Sequence, residues 1–330
     1  MEDVYIHTKN TNKKMMKNIL ISLIPLILFA IYKNSIVLLF NKDISTKTAL
    51  YPIFLLIICS LSTFIFEILY ALIFYRNKTD IKKYIKNSYA FLPGIILGLI
   101  IPINTPIIII VLSCFIGTIL GRMIFGGYSQ GLINTVSLTV MIILIFSLLN
   151  GGYSYLNTIE KTKYDMSPIN IVESNTVNIT YKEAVEPYGG LKQFFVGNVP
   201  GGIGEVSIVF CVLAFIYLIV KKSIKYLIPI SILITTTLLF SMVAILNNQG
   251  IWFVIYNLFT GGIVFASIFS ASESMTSPLT NTGQIIYGII IGILTTLFRF
   301  FIPFGGIFLS IIIANVMVPV IDNIVIINTK

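Results

Sequence analysis

Charged residues, histidine and cysteine are scarce in this sequence. Only 11% of the 330 residues are charged, whereas 56% are hydrophobic. Soluble domains carry about 25% charged residues, so the composition excludes an ordinary soluble domain. The single histidine, His7, and the three cysteines, Cys59, Cys114 and Cys211, lie far apart in the sequence. Neither a metal site nor a disulfide framework is therefore expected.

Long apolar runs are what the sequence has instead. Segments of about 20 predominantly apolar residues recur, which is the length of a transmembrane helix. Only helices and closed barrels satisfy their backbone hydrogen bonds in lipid, and these long continuous runs favour helices. We expect an all-α integral membrane protein with about ten transmembrane helices, the first of them retained. The predicted spans are 18–32, 50–74, 88–103, 107–125, 133–149, 206–220, 226–246, 251–269, 282–299 and 304–324.

The lysines and arginines predict how the chain is oriented. They concentrate in the N-terminal tail, in residues 76–86 and in residues 221–225, while a first loop with fewer lysines gives a weaker opposite signal. Positively charged loops remain in the cytoplasm. Both termini are therefore predicted to be cytoplasmic, and the polar segment 150–193 faces outward. Since the net charge of +9 is explained by topology, nucleic acid is not an expected partner.

The two halves of the chain resemble each other. Arg122, Gly126–Gly127 and Asn134 reappear as Arg299, Gly305–Gly306 and Asn315. Five spans in each half would make this an inverted repeat, with a site at the interface of the halves. Helix packing by glycine is the alternative interpretation. The chain would then divide into an N-terminal repeat (1–149), an outward segment (150–193) and a C-terminal repeat (194–330).

Ionisable residues within apolar spans are costly and therefore informative. Glu67 lies deep in the second span and Glu205 precedes the sixth, and we predict an internal role for both, in ion pairing or an ion path. Arg122 and Arg299 lie near span ends, where extension of the side chain to the membrane interface is the simpler interpretation. Asp322 is expected to anchor the last span.

A stretch rich in glycine, Gly197–Ser207, separates the outward segment from the sixth span and reads GNVPGGIGEVS. Glycine permits close approach of backbone or ligand, and proline frees a backbone carbonyl. Such a stretch favours a shaped ligand or partner site, with tight helix packing as the alternative.

These motifs resemble a known family, which comprises the membrane protein RnfD of the Rnf ion-translocating electron-transport complex and its relative NqrB of the sodium-pumping NADH:quinone reductase. Gly197–Ser207 is similar to the family's GNIPGSIGETS, and the stretches 271–278 (ASESMTSP) and 315–322 (NVMVPVID) are similar to further motifs. The resemblance implies a ten-helix fold similar to urea and ammonium channels, built from two inverted five-helix repeats. It also implies the cytoplasmic (inner) membrane and partner proteins of the same complex, both membrane-bound and peripheral.

The resemblance further implies FMN joined by a phosphoester to a threonine in a motif of the form Asp-x-x-Thr-Ser-Ala-Thr. The aligned stretch here is Asn170–Thr176, and Thr176 is the matching threonine. Asn170, Glu173 and Asn175 depart from the motif, and Val177 follows it where the family usually has proline. Thr180 is the next candidate for attachment.

Family members are also thought to hold a second, non-covalent flavin, riboflavin or FMN, among the helices. Five glycines would permit flat contact with such a ring: Gly126, Gly127, Gly201, Gly202 and Gly204.

The function implied is that of a membrane subunit of an ion-translocating ferredoxin/NAD oxidoreductase. It would carry electrons through FMN and couple them to Na⁺ or H⁺ transport, with Glu67 and Glu205 as coupling residues. No catalytic residue is expected in the chain itself, which would not be active alone. Two alternatives remain: a channel or carrier for a small solute with the same fold, and a scaffold subunit that has lost its covalent flavin.

Overall fold

All regular elements in the described part of the chain are helices. The structure, a computed structural model, describes residues 12–40, 45–74, 78–127, 131–149, 190–197, 201–302 and 304–328. The helices are α1 (Asn12–Phe40), α2 (Thr46–Phe74), α3 (Lys78–Ser88), α4 (Phe91–Ile100), α5 (Ile107–Met123), α6 (Thr135–Leu149), α7 (Gly190–Val196), α8 (Ile208–Val220), α9 (Leu227–Leu246), α10 (Ile251–Phe259), α11 (Ile263–Ala271), α12 (Asn281–Arg299) and α13 (Gly306–Asn328).

The helices form a bundle whose exterior is apolar and whose interior contains buried polar side chains as well as a hydrophobic core. Five described helices are long and apolar enough to cross a membrane, and a sixth span results if the bent pair α10 and α11 is counted as one. Large aliphatic side chains such as Ile73 and Leu238 are exposed, while Thr236, Ser267 and Asn315 are fully buried. An apolar exterior of this kind is suited to lipid rather than to water. Together with the helices that can cross a membrane, it shows that the chain is a multi-pass membrane protein.

Several span boundaries differ from the sequence prediction. The first span, predicted over 18–32, runs from Asn12 to Phe40 because a π-helical turn at Tyr32–Ile36 carries the helix past its polar residues. The predicted span 88–103 contains a helix of only 10 residues, Phe91–Ile100. The eighth predicted span, 251–269, bends by 52° between α10 and α11. Glycines at positive φ, Gly261 and Gly262, form this bend.

A backbone strap joins the two halves of the chain. Helix α4 ends at Ile100, which leaves carbonyl groups without helical partners. The N–H groups of Gly204 and Glu205 donate to the Leu99 carbonyl at 2.8 and 3.1 Å, and that of Ile203 donates to the Ile101 carbonyl at 3.1 Å. Gly202 must be glycine here, since a Cβ would collide with the Ile100 carbonyl. The glycine-rich stretch thus satisfies the broken end of α4.

Two ends of the bundle are distinguished below. The lysine-rich end comprises the start of α1, helix α3 and the loop 221–226, and Asn18 links the first to the last by donating to Ser223 Oγ at 2.7 Å. The far end comprises the second half of α1, the strap and the bend between α10 and α11. About fifteen residues of α1 separate Asn18 from Lys33, a distance of about 22 Å along the helix.

Candidate functional site

An arginine between two glutamates occupies the lysine-rich end. Arg122 Nη1 lies 3.6 Å from Glu67 Oε2, and Arg122 Nη2 lies 3.8 Å from Glu273 Oε1. Arg122 is 7% exposed and Glu67 is 2% exposed, so the charges face one another in the interior. We call these three residues, with Tyr84 and Asn134, the Arg122 cluster. The expectation that Arg122 reaches the membrane interface is wrong, because its partners draw it inward.

Two neutral side chains donate hydrogen bonds to the carboxylates of Glu67 and Glu273. The Tyr84 hydroxyl donates to Glu67 Oε1 at 2.5 Å, and Asn134 Nδ2 donates to Glu273 Oε2 at 2.6 Å. Tyr84 belongs to the short helix α3, whose lysines Lys82, Lys83 and Lys86 are exposed. A surface helix is thereby linked directly to a buried carboxylate.

An asparagine pair joins this cluster to the last helix. The Asn134 backbone N–H donates to Asn315 Oδ1 at 2.9 Å, while Asn315 Nδ2 donates to the Thr276 carbonyl at 2.9 Å and to the Tyr287 oxygen at 2.6 Å. Asn134 and Asn315 are the residues that the predicted internal repeat equates. Each is almost completely buried, and both hold the segment that follows α11.

A cavity of about 40 Å³ adjoins the Arg122 cluster at the lysine-rich end. Arg122, Asn134 and Glu273 contribute to its lining, together with Ser223 and Ser272. A water molecule needs about 10–15 Å³ by this measure, so the cavity can hold about three waters beside the ion pair. Such a cavity allows a small hydrated ion or a proton to approach Glu273, whereas sites for drug-sized ligands occupy about 300–1,000 Å³.

A second buried charge cluster occupies the far end. Glu205 is 4% exposed, and Lys33 and Arg299 both attract its carboxylate. Arg299 also donates to Asn257 Oδ1 at 3.1 Å and to the Thr260 hydroxyl, both at the bend between α10 and α11. We call Lys33, Glu205, Arg299, Asn257 and Thr260 the Glu205 cluster. As with Arg122, the expected interfacial position of Arg299 is wrong, since it is only 6% exposed.

The glycines predicted to contact a flavin pack against the protein itself. A Cβ on Gly127 would meet the rings of Tyr84 and Tyr70. Gly201 faces Val206 and Gly202 faces the Ile100 carbonyl, while Gly204 faces Leu99. Protein atoms therefore lie in the direction in which a side chain would point from these glycines, and their contact with a flavin stays a prediction. Gly126 has positive φ, and its role in flavin contact stays a prediction.

The remaining predicted residues are placed as follows. Asp322 accepts the Leu279 N–H at 3.1 Å and thereby joins the last helix to the end of the segment that follows α11, which fits the predicted anchoring role. Thr176, Thr180 and the stretch Asn170–Thr176 lie outside the described residues. Within the described ranges, no group of three or more metal-ligating side chains occurs.

The sequence prediction placed Glu273 beside a break rich in serine and Lys33 in the first loop, and it assigned neither of them to a buried cluster. Lys33 belongs to a run, Tyr32–Ile36, that resembles a polar loop after a short span. The one signal present was the apolar sequence on both sides of Lys33, which is typical of one longer helix.

The chain belongs to the family described as NQR2, RnfD, RnfE, whose model matches residues 1–329. It is 29% identical to a subunit of the proton-translocating ferredoxin:NAD(+) oxidoreductase complex of Clostridium ljungdahlii, over 72% of this chain and 73% of that protein. It is 24% identical to a subunit of the ion-translocating oxidoreductase complex of Aliivibrio salmonicida, over 96% and 94%. A subunit of the Na(+)-translocating NADH-quinone reductase of Stutzerimonas stutzeri is 27% identical over 75% of this chain and 62% of its own length. The predicted family is confirmed.

Proposed function

We propose that this chain is a membrane subunit of an ion-translocating ferredoxin/NAD oxidoreductase complex and is inactive without its partner subunits. The observation that carries the proposal is the pair of buried charge clusters, one at each end of a bundle whose family consists of such subunits. Buried ionisable residues are rare in membrane helices and mark ion pathways. Three carboxylates, Glu67, Glu205 and Glu273, supply groups that bind Na⁺ or H⁺.

The proposed architecture is ten spans in two inverted repeats, divided at 1–149, 150–193 and 194–330 and similar to urea and ammonium channels. Two features support it. Arg122 ends α5 and Arg299 ends α12, at opposite ends of the bundle, and each is paired inside. The asparagines that the repeat equates, Asn134 and Asn315, bond each other at the interface. The shorter helices α4, α5, α6 and α8 would bring the six longer spans to ten.

The proposed orientation places the lysine-rich end, and with it both termini, in the cytoplasm of a bacterial cell, with the chain in the inner membrane. Exposed lysines of α3 and of the loop 221–226 support this orientation. The cavity beside Glu273 would then open toward the cytoplasm. Glu205 would lie toward the outer surface, so the two clusters would serve ion entry and ion release.

Thr176 is the residue that we propose to hold FMN, through a phosphoester on the outward segment. When bound, FMN can accept two electrons and release them singly, which side chains of this composition cannot do. The contribution of the chain is attachment at Thr176 and the buried carboxylates. For the second, non-covalent flavin we propose contact with the backbone at five glycines: Gly126, Gly127, Gly201, Gly202 and Gly204.

Flavin fluorescence of the denatured chain in a gel tests this function. The chain is expressed with an active flavin transferase, beside Thr176→Ala and, as matched control, Thr180→Ala. We expect a fluorescent band for the unmodified sequence and for Thr180→Ala, and a dark band for Thr176→Ala. A band lost only in Thr180→Ala would move the attachment site.

A scaffold subunit without covalent flavin is the second candidate. It is favoured by the departures at Asn170, Glu173 and Asn175 from the motif that flavin transferases read. A dark band for the unmodified sequence, with a fluorescent control protein from the same cells, would establish this alternative. The small-solute carrier is tested by flux into liposomes that contain the purified chain alone.

A further inference from the structure

The carboxyl group of Glu205 has far less compensation than those of Glu67 and Glu273. Glu67 and Glu273 face Arg122 at 3.6 and 3.8 Å, and each accepts a hydrogen bond from a neutral side chain. Among the described residues, Glu205 forms no ion pair, although it is only 4% exposed. The carboxyl groups of the interior are therefore of two kinds, and Glu205 alone represents the second.

One oxygen of the Glu205 side chain is enclosed without a donor. Oε2 is buried and has no hydrogen-bond partner among the described residues. It lies against Gly262, where a Cβ would collide with it and would also meet the ring of Phe308. A Cβ on Gly202 would lie 2.9 Å from Cδ of the same carboxyl group. Close backbone contacts of two glycines thus stand where an ionised oxygen would need donors.

The titratable side chains around Glu205 come from three helices. Lys33 of α1 and Arg299 of α12 attract a negative charge there, but neither forms an ion pair with this carboxyl group. The Cys211 thiol of α8 lies 4.0 Å from the backbone carbonyl oxygen of Glu205. The Gly202 N–H, which hydrogen-bonds to the carboxyl group, is neutral. An ionised Glu205 would therefore be compensated only from a distance.

A carboxyl group in such surroundings is more stable with a proton than without one. An ionised group that is buried without a close partner costs far more than a neutral one, and such groups become neutral instead. The neutral form of Glu205 still accepts the hydrogen bond from Gly202. A metal cation suits this position less well, because hard cations take about six or more oxygen ligands, whereas Oε2 lies against the backbone of Gly262.

We propose that Glu205 is a proton-binding site, neutral at rest, and that the far end releases H⁺ rather than Na⁺. The inference rests on the ion-coupling role of Glu205 proposed above and names the ion of that site. In each cycle the O–H bond of the carboxyl group would break, with its electron pair left on the carboxylate, and the proton would pass to water at the outer surface. A proton from the interior would restore the bond. Meanwhile Lys33 and Arg299 would attract the carboxylate.

Infrared spectroscopy of the full chain, purified in a detergent without ester groups, tests this proposal. Exposed carboxyl groups are ionised at about pH 7.5. A protonated carboxyl group has a C=O stretching band apart from the amide and carboxylate bands, and exchange of H₂O for D₂O shifts it. We expect the unmodified chain to show such a band and Glu205→Gln to lose it. Glutamine has the size of a neutral glutamate and keeps an acceptor for the Gly202 N–H.

The matched controls are Glu67→Gln and Glu273→Gln, which change the paired carboxyl groups and should keep the band. If the unmodified chain lacks the band, or if Glu205→Gln retains it, Glu205 is not the proton-binding site. Should the amide hydrogens of glutamine prevent folding, Glu205→Met removes the carboxyl group without adding a donor, and the same loss of the band is expected.

A comparison of NaCl with choline chloride tests the choice between the two ions. We expect the same band in both salts. Its loss in NaCl alone would show that Na⁺ displaces the proton and would overturn the proposal. The ion-coupling role is tested separately by Glu205→Gln in the assembled complex, which should uncouple transport while flavin content stays normal. Unchanged pumping there would reject that role, while the infrared spectrum would still report on the proton.

Discussion

Arg122 is buried beside two carboxylates, Glu67 and Glu273, which compensate its positive charge. It also lines a cavity that can hold a few waters. Removing one partner of a buried ion pair costs about 3–5 kcal/mol, since the remaining charge is left without compensation. We expect Arg122→Met to lower the thermal unfolding temperature of the detergent-purified chain strongly. The double variant Arg122→Met/Glu273→Gln should recover part of the loss, because one of the two uncompensated carboxylates is removed.

Lys83→Met serves as control for this experiment, because it removes an exposed cation at the same end. Surface substitutions usually change stability by less than about 0.5 kcal/mol. Equal unfolding temperatures of Arg122→Met and Lys83→Met would show that the buried cluster does not contribute to stability.

For single residues, the sequence predicted which ionisable side chains are buried better than it predicted which of them form ion pairs. The predicted burial of Glu67 and Glu205 is confirmed. A carboxylate within a long apolar segment is buried because it cannot face the lipid without great cost. The pairing of Arg122 with Glu273 was beyond prediction, because it depends on how helices of different halves pack. The interfacial position expected for both arginines was wrong for the same reason.

A single lysine fixes the segment that follows α11. Lys225 Nζ donates to the Ser274 carbonyl at 3.0 Å, to the Ser277 carbonyl at 2.9 Å and to Ser277 Oγ at 3.0 Å. Glu273 precedes these contacts directly. The loop 221–226 therefore sets the position of the residue that lines the cavity.

Replacement of Lys225 by Met should destabilise the chain by about 1–3 kcal/mol, since the carbonyl groups lose a charged donor. Burial lowers the pKa of Lys225 to about 8, against the opposing attraction of Asp322. The unfolded chain keeps this proton up to the ordinary value of 10.5, so between these values it binds more protons than the folded chain. The contribution of Lys225 to the free energy of unfolding therefore rises from about pH 8 to the ordinary lysine value and is smallest below about pH 8.

Thermal unfolding of the unmodified chain and of Lys225→Met at several pH values measures this effect. The difference in unfolding temperature should be larger at about pH 9.5 than at about pH 7. A difference that is constant with pH would mean that Lys225 titrates alike in both states.

Long apolar helices were the predictable elements. The predicted spans 226–246 and 282–299 agree closely with Leu227–Leu246 and Asn281–Arg299, because continuous apolar sequence leaves few alternatives. Helices α3 and α7 were missed, since α3 is too polar to suggest a span and α7 has only 7 residues. The short helix α4 depends on the strap, whose partner lies in the other half of the chain.

The whole molecule offers a direct test of its orientation. All three cysteines, Cys59, Cys114 and Cys211, are fully buried, so the unmodified chain should give little background with a membrane-impermeant maleimide. We expect Lys83→Cys to react only from the cytoplasmic side and Lys47→Cys only from the outside. Reaction of both from one side would contradict the proposed orientation.

The strap between Leu99 and Glu205 also constrains how the chain is made. The first half leaves the ribosome well before Ile203, Gly204 and Glu205 are translated. Until then, the carbonyls of Leu99 and Ile101 have no donor from the strap, in a membrane without water to replace it. We therefore expect the end of α4 to adopt its final conformation only after the strap has been synthesised, and a chain that terminates between the halves to leave these carbonyls without their donors.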